Sequence, residues 1–273
     1  MKVLRLFSVV ACMFFLGSSV QAQPAKEFKP EVGQQGKDVV WVPTSLALVN
    51  KMLDMAKVTT SDYVIDLGSG DGRTVITAAK RGIKALGIEY NPDMVELSKR
   101  NATKEGVTER ATFMKADLFE TDFSHASVIT MFLLPDINLK LRPKILGLKP
   151  GTRIVSNTFT MGEWEADETG TAASDEGSSY YRTALLWIVP AKVEGVWKSL
   201  QGDITFKQEF QKFSGSINAG GVSTLVTGGK MRGDQISFSA GSAQYAGTVS
   251  GNTITGTVAS SGTSRAWSAT HTR

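Results

Sequence analysis

Val64-Ile65-Asp66-Leu67-Gly68-Ser69-Gly70-Asp71-Gly72-Arg73 is the stretch from which the fold can be read. An apolar run broken by one acid leads into three glycines at every second position, and a helical pattern begins at Arg73. Strand, glycine turn and helix in that order make a binding corner. Glycine leaves no side chain between backbone and ligand, and the free N–H groups of a helix start point at the same space. Glycines alone would also suit an ordinary tight turn, and NAD-binding proteins use a related pattern. Three details narrow the reading. The spacing is G-x-G-x-G and not G-x-G-x-x-G, and Asp66 stands two residues before the first glycine. Glu89 ends the next apolar run, where a carboxylate can accept hydrogen bonds from both hydroxyls of a ribose.

Working outward, strand-like and helix-like segments alternate from Trp41 to about Pro190. Pro43-Thr44 starts a helix with Thr44 as its N-cap and an apolar face of Leu46, Leu48, Val49, Met52, Leu53 and Met55. Tyr63–Leu67 is a strand, Arg73–Lys80 a helix with Gly82 just past its end, and Ala85–Tyr90 a second strand. Asn91 caps a helix that opens on Pro92 and runs to about Glu105. Thr112–Leu118, Val128–Leu134 and Thr152–Phe159 are further strands, and Ile137–Leu146 is helical despite Pro143. Such alternation predicts an α/β domain, a parallel sheet covered on both faces. Glu163–Ser179, acidic and rich in small residues, reads as a mobile loop, followed by a late strand over Tyr180–Val189.

The glycine stretch resembles motif I of the class I S-adenosylmethionine-dependent methyltransferases, and the resemblance covers roughly residues 38–160. Trp41-Val-Pro-Thr44, the DLGSGDGR run and Phe132-Leu-Leu-Pro135 are similar to a narrower branch. It contains the lysine methyltransferases that act on the c-type subunit of ATP synthase and uncharacterised bacterial relatives. The resemblance implies a Rossmann-like seven-stranded sheet whose last strand is antiparallel; the seventh strand has no obvious candidate here. It also implies S-adenosylmethionine as cofactor, with Asp66 near its methionine end and Gly68, Gly70 and Gly72 lining it. Glu89 would hold the ribose, and Asp117 the adenine amino group with Leu118 as apolar neighbour. Trp41, Phe132 and Pro135 become candidate substrate contacts, and protein lysine the substrate class. No catalytic residue is singled out. Asp136, after the fourth strand, suits either the pocket or a helix cap, and His125 sits in a polar turn that suits solvation.

After Pro190 the composition changes. Residues 194–273 contain 13 Gly, 12 Ser and 10 Thr but no Pro, so turns are cheap and faces polar. Short alternating runs, among them Ile204–Phe210, Gln235–Ser239, Gln244–Val249, Thr253–Val258 and Ala266–Thr270, predict a small all-β C-terminal domain, an antiparallel meander or small barrel. Gln208 interrupts the apolar face of Ile204, Phe206 and Phe210, which suggests an edge strand or a bulge. Trp197 and Trp267, near the two ends of the domain, are expected to pack together. The first domain then spans residues 23–193.

Residues 1–22 read as a signal peptide: Lys2 and Arg5, an apolar run from Leu6 to Leu16, then Val20 and Ala22 before a cut at Gln23. That address predicts export to the periplasm, with an uncleaved membrane anchor as the alternative and no membrane contact otherwise. S-adenosylmethionine is made in the cytosol, which sets the address against catalysis. Two other readings therefore stand beside the enzyme: an exported binding module with another small ligand in the pocket, or a β-domain that binds glycan or envelope protein.

Composition trims the rest. The chain has 273 residues, 41% of them apolar and 21% charged, which excludes disorder and a multi-span membrane protein as the overall class. Its single cysteine, Cys12, lies in the leader, so neither a disulfide framework nor a Cys-based zinc site is available. His125 and His271 are the only histidines, and no metal site is expected. The net charge of +4 is not gathered into basic runs, so no nucleic-acid partner is expected; a protein substrate is.

Overall fold

The computed structural model describes residues 28–173 and 180–272. The leader, its cleavage site and part of the Glu163–Ser179 stretch lie outside the described residues.

The first domain is a seven-stranded sheet in the order β3-β2-β1-β4-β5-β7-β6. Strands β1 (Tyr63–Leu67), β2 (Lys84–Glu89), β3 (Ala111–Lys115), β4 (Val128–Met131) and β5 (Arg153–Asn157) are parallel. β7 (Thr183–Ile188) runs antiparallel to both β5 and β6 (Glu168–Thr171). The strand without a candidate in the sequence is β6, and it comes from the stretch read as a loop. Polar Glu168-Thr-Gly-Thr171 carries no apolar run, because β6 is the sheet edge and its residues are half-buried or exposed.

Helices α1 (Leu46–Met55), α2 (Arg73–Lys80), α3 (Pro92–Lys104) and α4 (Pro135–Leu146) cover the sheet. Two apolar layers result, one gathering Leu48, Leu53, Val75 and Val95, the other Ile65, Ile129, Leu141 and Trp187. The N-cap of α1 is Ser45, whose Oγ accepts from the Leu48 N–H at 3.2 Å. Thr44 is one residue too early for that bond; its Oγ1 accepts from Asn157 Nδ2 and ties α1 to the end of β5. Asn91 caps α3 through Asp93 N–H with Pro92 at the first position, as the sequence predicts. α4 opens two residues before the expected start, on Pro135, so Asp136 falls in its first turn. The chain moves outward from β1 to β3, then returns to β4 beside β1. That reversal opens a crevice at the carboxyl ends of the central strands, where open α/β sheets bind ligands.

The C-terminal domain is a closed eight-stranded antiparallel barrel. It runs from β8 (Gly195–Ser199) and β9 (Gly202–Glu209) through β10 (Lys212–Ala219), β11 (Val222–Arg232), β12 (Gln235–Ala240), β13 (Ala243–Ser250) and β14 (Thr253–Ser260) to β15 (Thr263–His271), which pairs back onto β8. Closure removes the edge that Gln208 had suggested. Gln208 instead pins the linker between the domains: its Oε1 accepts from Val193 N–H, and its Nε2 donates to the carbonyls of Ala191 and Phe210. Trp197 and Trp267 are both buried in the barrel but meet different partners. Trp197 lies edge-on to His271 at 4.9 Å, while Trp267 packs on Phe238 and Tyr245. Phe206, Phe213 and Phe238 fill the remaining interior with ring contacts of 4.8–5.8 Å, so the barrel holds a packed core.

Phe210 does not join that core. It turns outward at φ +53° and stacks on Trp164 of the first domain, with centroids 6.1 Å apart. Around this contact Gln211 Nε2 donates to the Glu165 carbonyl, Lys212 pairs with Glu165, Arg232 pairs with Glu168, and Ala191 N–H donates to the Gly233 carbonyl. The barrel thus sits against the β6 side of the sheet, away from the crevice.

Candidate functional site

The crevice is built on the glycine turn. Gly68, Gly70 and Gly72 all have left-handed φ, at +75°, +54° and +82°. Gly68 and Ser69 N–H groups both donate to the Ile88 carbonyl, which staples the turn to β2. Gly70 N–H donates to Glu89 Oε2 at 2.9 Å, and Asn91 N–H donates to Oε1 at the same distance. Glu89 therefore spans the turn and the start of α3, and each oxygen keeps a lone pair for a ligand. Gly68 and Gly70 line the pocket; Gly72 does not. Gly72 caps α2, and a Cβ there would lie 2.8 Å from Phe113 and 2.9 Å from Ser98, so close packing is its reason.

Asp66 is buried under the turn, 6% exposed. Thr130 Oγ1 donates to it at 2.7 Å. Burial pushes its carboxyl up to about 7, with the charges of Glu89 and Asp71 adding to the rise and hydrogen bonds from Thr130 and Thr74 opposing it. Asp117 and Leu118 follow β3 in a turn and face the same pocket. Asp117 Oδ1 accepts from Phe119 N–H, and Oδ2 pairs with Lys37 at 2.5 Å. The Lys37 hydrogen bond, then that of Phe119, holds the Asp117 carboxyl below the usual carboxylate range.

Lys37 belongs to a strap over the pocket. Residues 33–41 fold back on themselves, with Gly33 N–H donating to the Trp41 carbonyl and Trp41 N–H to that of Gln34. Lys37 Nζ also sits 4.5 Å from the centre of the Tyr90 ring. Trp41 Nε1 lies 2.7 Å from where a Gly70 Cβ would be, so the missing side chain makes room for the indole. At the far end, Phe132, Phe159 and Tyr181 line the pocket together. Pro135 does not line it; its ring starts α4 and is exposed. His125 is exposed in its turn, against Tyr63 at 5.2 Å.

Of the residues expected from the sequence, Trp41, Asp66, Gly68, Gly70, Glu89, Asp117, Leu118 and Phe132 come together in one pocket. Sequence reasoning missed Lys37, Tyr90, Met94, Phe159 and Tyr181, which line it too. The Lys37–Asp117 pair joins residues 80 apart with no periodicity to signal it. Phe159 had a signal: it follows β5 as Phe132 follows β4, and those strands are register neighbours.

The pocket is suited to a nucleoside with a cationic tail. It offers paired acceptors at the end of β2, apolar walls from Ile88, Met94 and Leu118, and a buried acid beside the glycine turn. Among the described residues, no cluster of His, Cys, Asp and Glu could hold a metal ion.

A model of the ANTKMT methyltransferase domain matches residues 66–168. A protein-lysine N-methyltransferase of Saccharolobus islandicus (strain REY15A) is 47% identical over 154 residues, which are 55% of this chain and 94% of that protein. The human lysine N-methyltransferase of the ATP synthase c-type subunit is 35% identical over 128 residues, 46% of this chain and 54% of its own. This chain thus spans about half the length of the human relative. The Caenorhabditis elegans counterpart is 31% identical, covering 47% of this chain and 70% of its own length. Among solved structures, an RNA methyltransferase from Salinibacter ruber in complex with S-adenosyl-L-homocysteine is 43% identical with a TM-score of 0.51. The match covers 56% of this chain and 96% of that one. A glycine turn bridged by Glu89, and near-complete coverage of the archaeal enzyme, lead to one conclusion: the chain belongs to the methyltransferase family that includes the archaeal protein-lysine N-methyltransferase and the lysine N-methyltransferases of the ATP synthase c-type subunit.

Proposed function

We propose that this chain methylates the ε-amine of lysine in a protein substrate, with S-adenosylmethionine as methyl donor. The observation that carries the reading is the 47% identity over 94% of the archaeal protein-lysine N-methyltransferase, in the domain that contains the pocket. In this reading Glu89 takes the ribose hydroxyls, Asp117 the adenine amino group, and Leu118 the adenine face. Gly68 and Gly70 line the cofactor, and Asp66 faces its methionine end. Bound there, S-adenosylmethionine supplies a methyl group on positively charged sulfur, so no acid is needed at the leaving group. The chain's own part is alignment and the exclusion of water, to which Trp41, Leu133 and Leu134 contribute as pocket walls. A lysine ammonium first gives a proton to solvent. Its lone pair then forms the C–N bond as the S–C bond breaks, leaving S-adenosylhomocysteine and a methylated ammonium.

The Salinibacter relative raises RNA as a second substrate class. The charge of the pocket favours the amine. Asp71 is paired with Arg73 and Asp117 with Lys37, while Asp38 and Glu89 line the pocket without a cationic partner among the ion pairs of the described residues. A surplus of carboxylates attracts an ammonium and repels phosphate. Incubating the full chain with labelled S-adenosylmethionine and an extract of its host, then hydrolysing the products, tests the reading. Label in methyllysine is expected; label in RNA, or in another amino acid, would overturn it.

Export is part of the proposal, with the membrane-anchored form as its alternative. Its support is the order of charge, apolar run and small residues in 1–22. Mass spectrometry of protein from its own host should find Gln23 at the N-terminus; a retained leader would favour the anchored form.

A further inference from the structure

Three rings stand together where β4, β5 and β7 meet the pocket. Phe132 and Phe159 stack with centroids 5.8 Å apart and planes 17° from parallel. Tyr181 lies edge-on to Phe132 at 5.0 Å and is tilted against Phe159 at 5.8 Å. Each is only half-buried, and all three line the same pocket as Asp66 and Gly68. Aromatic rings at strand ends usually turn into the core, so three left half-buried along one pocket call for a ligand.

The backbone under Phe159 is held with care. Thr158 is at φ +61°, a strained position for a β-branched residue. Ser156 Oγ donates to the Phe159 carbonyl at 2.8 Å, and the fully buried Asn157 bonds to Thr44 and Thr158 on either side. The surroundings therefore fix where the ring stands. Because the rings touch one another, no flat base can slide between them. What they offer is a shared outer face of negative π density, beside Asp66 and the glycine turn.

We infer that Phe132, Phe159 and Tyr181 form a wall that seats the substrate amine as a cation, its methylated ammonium above all, by cation–π attraction. This rests on the lysine reading above and assigns its substrate side. An alkylated ammonium has few or no N–H groups to donate, so a ring face holds it where a hydrogen-bond acceptor would not. The pocket carboxylates deepen the same negative potential without needing contact.

Calorimetry on the full chain tests the wall, with S-adenosylhomocysteine present and Nε-trimethyllysine as probe. The control is its neutral isostere, with carbon in place of the quaternary nitrogen. Cation–π contacts of ordinary strength predict a preference for the cation of about threefold to thirtyfold. Phe159→Leu and, separately, Tyr181→Leu should bring the ratio close to one, and Phe159→Trp should keep it. S-adenosylhomocysteine affinity, measured in every variant, reports folding. If one Leu variant fails to fold, the other and the unmutated isostere comparison still decide. Equal binding of cation and isostere, no binding of the cation, or a ratio unchanged in the folded Leu variants would each overturn the wall. So would uridine binding tighter than trimethyllysine, which would make it a base-stacking surface. Methyllysine formed by a chain that binds both probes equally would overturn the wall and leave the lysine reading standing. Absence of S-adenosylhomocysteine binding would overturn both.

Discussion

Asp66 is a carboxyl group almost wholly buried at the base of the pocket, and its proton has consequences that can be measured. Its folded value of about 7 lies above the ordinary 3.8, so the folded protein keeps a proton that the unfolded chain gives up between those values. The contribution of this group to stability without ligand then falls as pH rises from about 4 to about 7, and levels off above that. Asp66→Asn should remove this contribution. In denaturant melts, the variant should gain on the natural protein by more than about 1 kcal/mol between pH 5 and pH 8. Glu89 is tested by calorimetry with S-adenosylmethionine. Glu89→Ala removes the proposed ribose acceptors and lets go of Gly70 and Asn91 N–H groups, so affinity should drop at least about tenfold. At this scale the sequence is most legible. Asp66, Glu89 and Asp117 stand at strand ends, and a strand end is visible in an apolar run. Gly72 misleads because glycine in a turn looks the same whether it admits a ligand or a neighbouring ring. Gly72→Ala meets Phe113 and Ser98 as well as a left-handed backbone. It should destabilise the fold by about 2–4 kcal/mol in denaturant melts, by strain and overpacking together.

Elements are legible in proportion to how much of each is buried. The central strands and α2 and α3 carry continuous apolar runs or clean caps, and the sequence places them to within a few residues. β6 is not legible, since an edge strand of Glu, Thr and Gly is held by pairing with β7 and not by its own apolar content. The strap over the pocket is not legible either. Its position depends on Lys37 reaching Asp117 and the Tyr90 ring, contacts across a large sequence separation. The strap also makes a kinetic prediction. Lys37 occupies the carboxylate proposed for the adenine amino group, so Lys37→Ala should speed association of S-adenosylhomocysteine about threefold or more, read by stopped-flow tryptophan fluorescence from Trp41. An unchanged rate would mean that the strap does not have to yield before the ligand enters.

At the scale of the whole molecule, two bodies share one chain but not one site. All pocket-lining residues lie before residue 182, while the barrel touches the sheet through Phe210, Gln211, Lys212, Arg232 and Gly233. Residues 23–193 alone should therefore bind S-adenosylmethionine within about threefold of the full chain, because no direct ligand contact is lost. Their melting temperature should be lower, since Trp164 loses the Phe210 ring. A folded fragment that fails to bind would show that the barrel shapes the pocket from a distance. The barrel is legible as a barrel from its turns, but its closure is not, because nothing in Gln208 announces whether its partner is water or the linker. That closure has a genetic consequence. β15 lies beside β8, with His271 opposite Trp197 and Thr272 N–H donating to the Val196 carbonyl, so the chain leaves the barrel one strand away from where it entered. A unit whose entrance and exit share a seam can be spliced onto a host, or cut from it, without rerouting either partner. The barrel has the form of a portable cassette, and its history can differ from that of the enzyme that carries it.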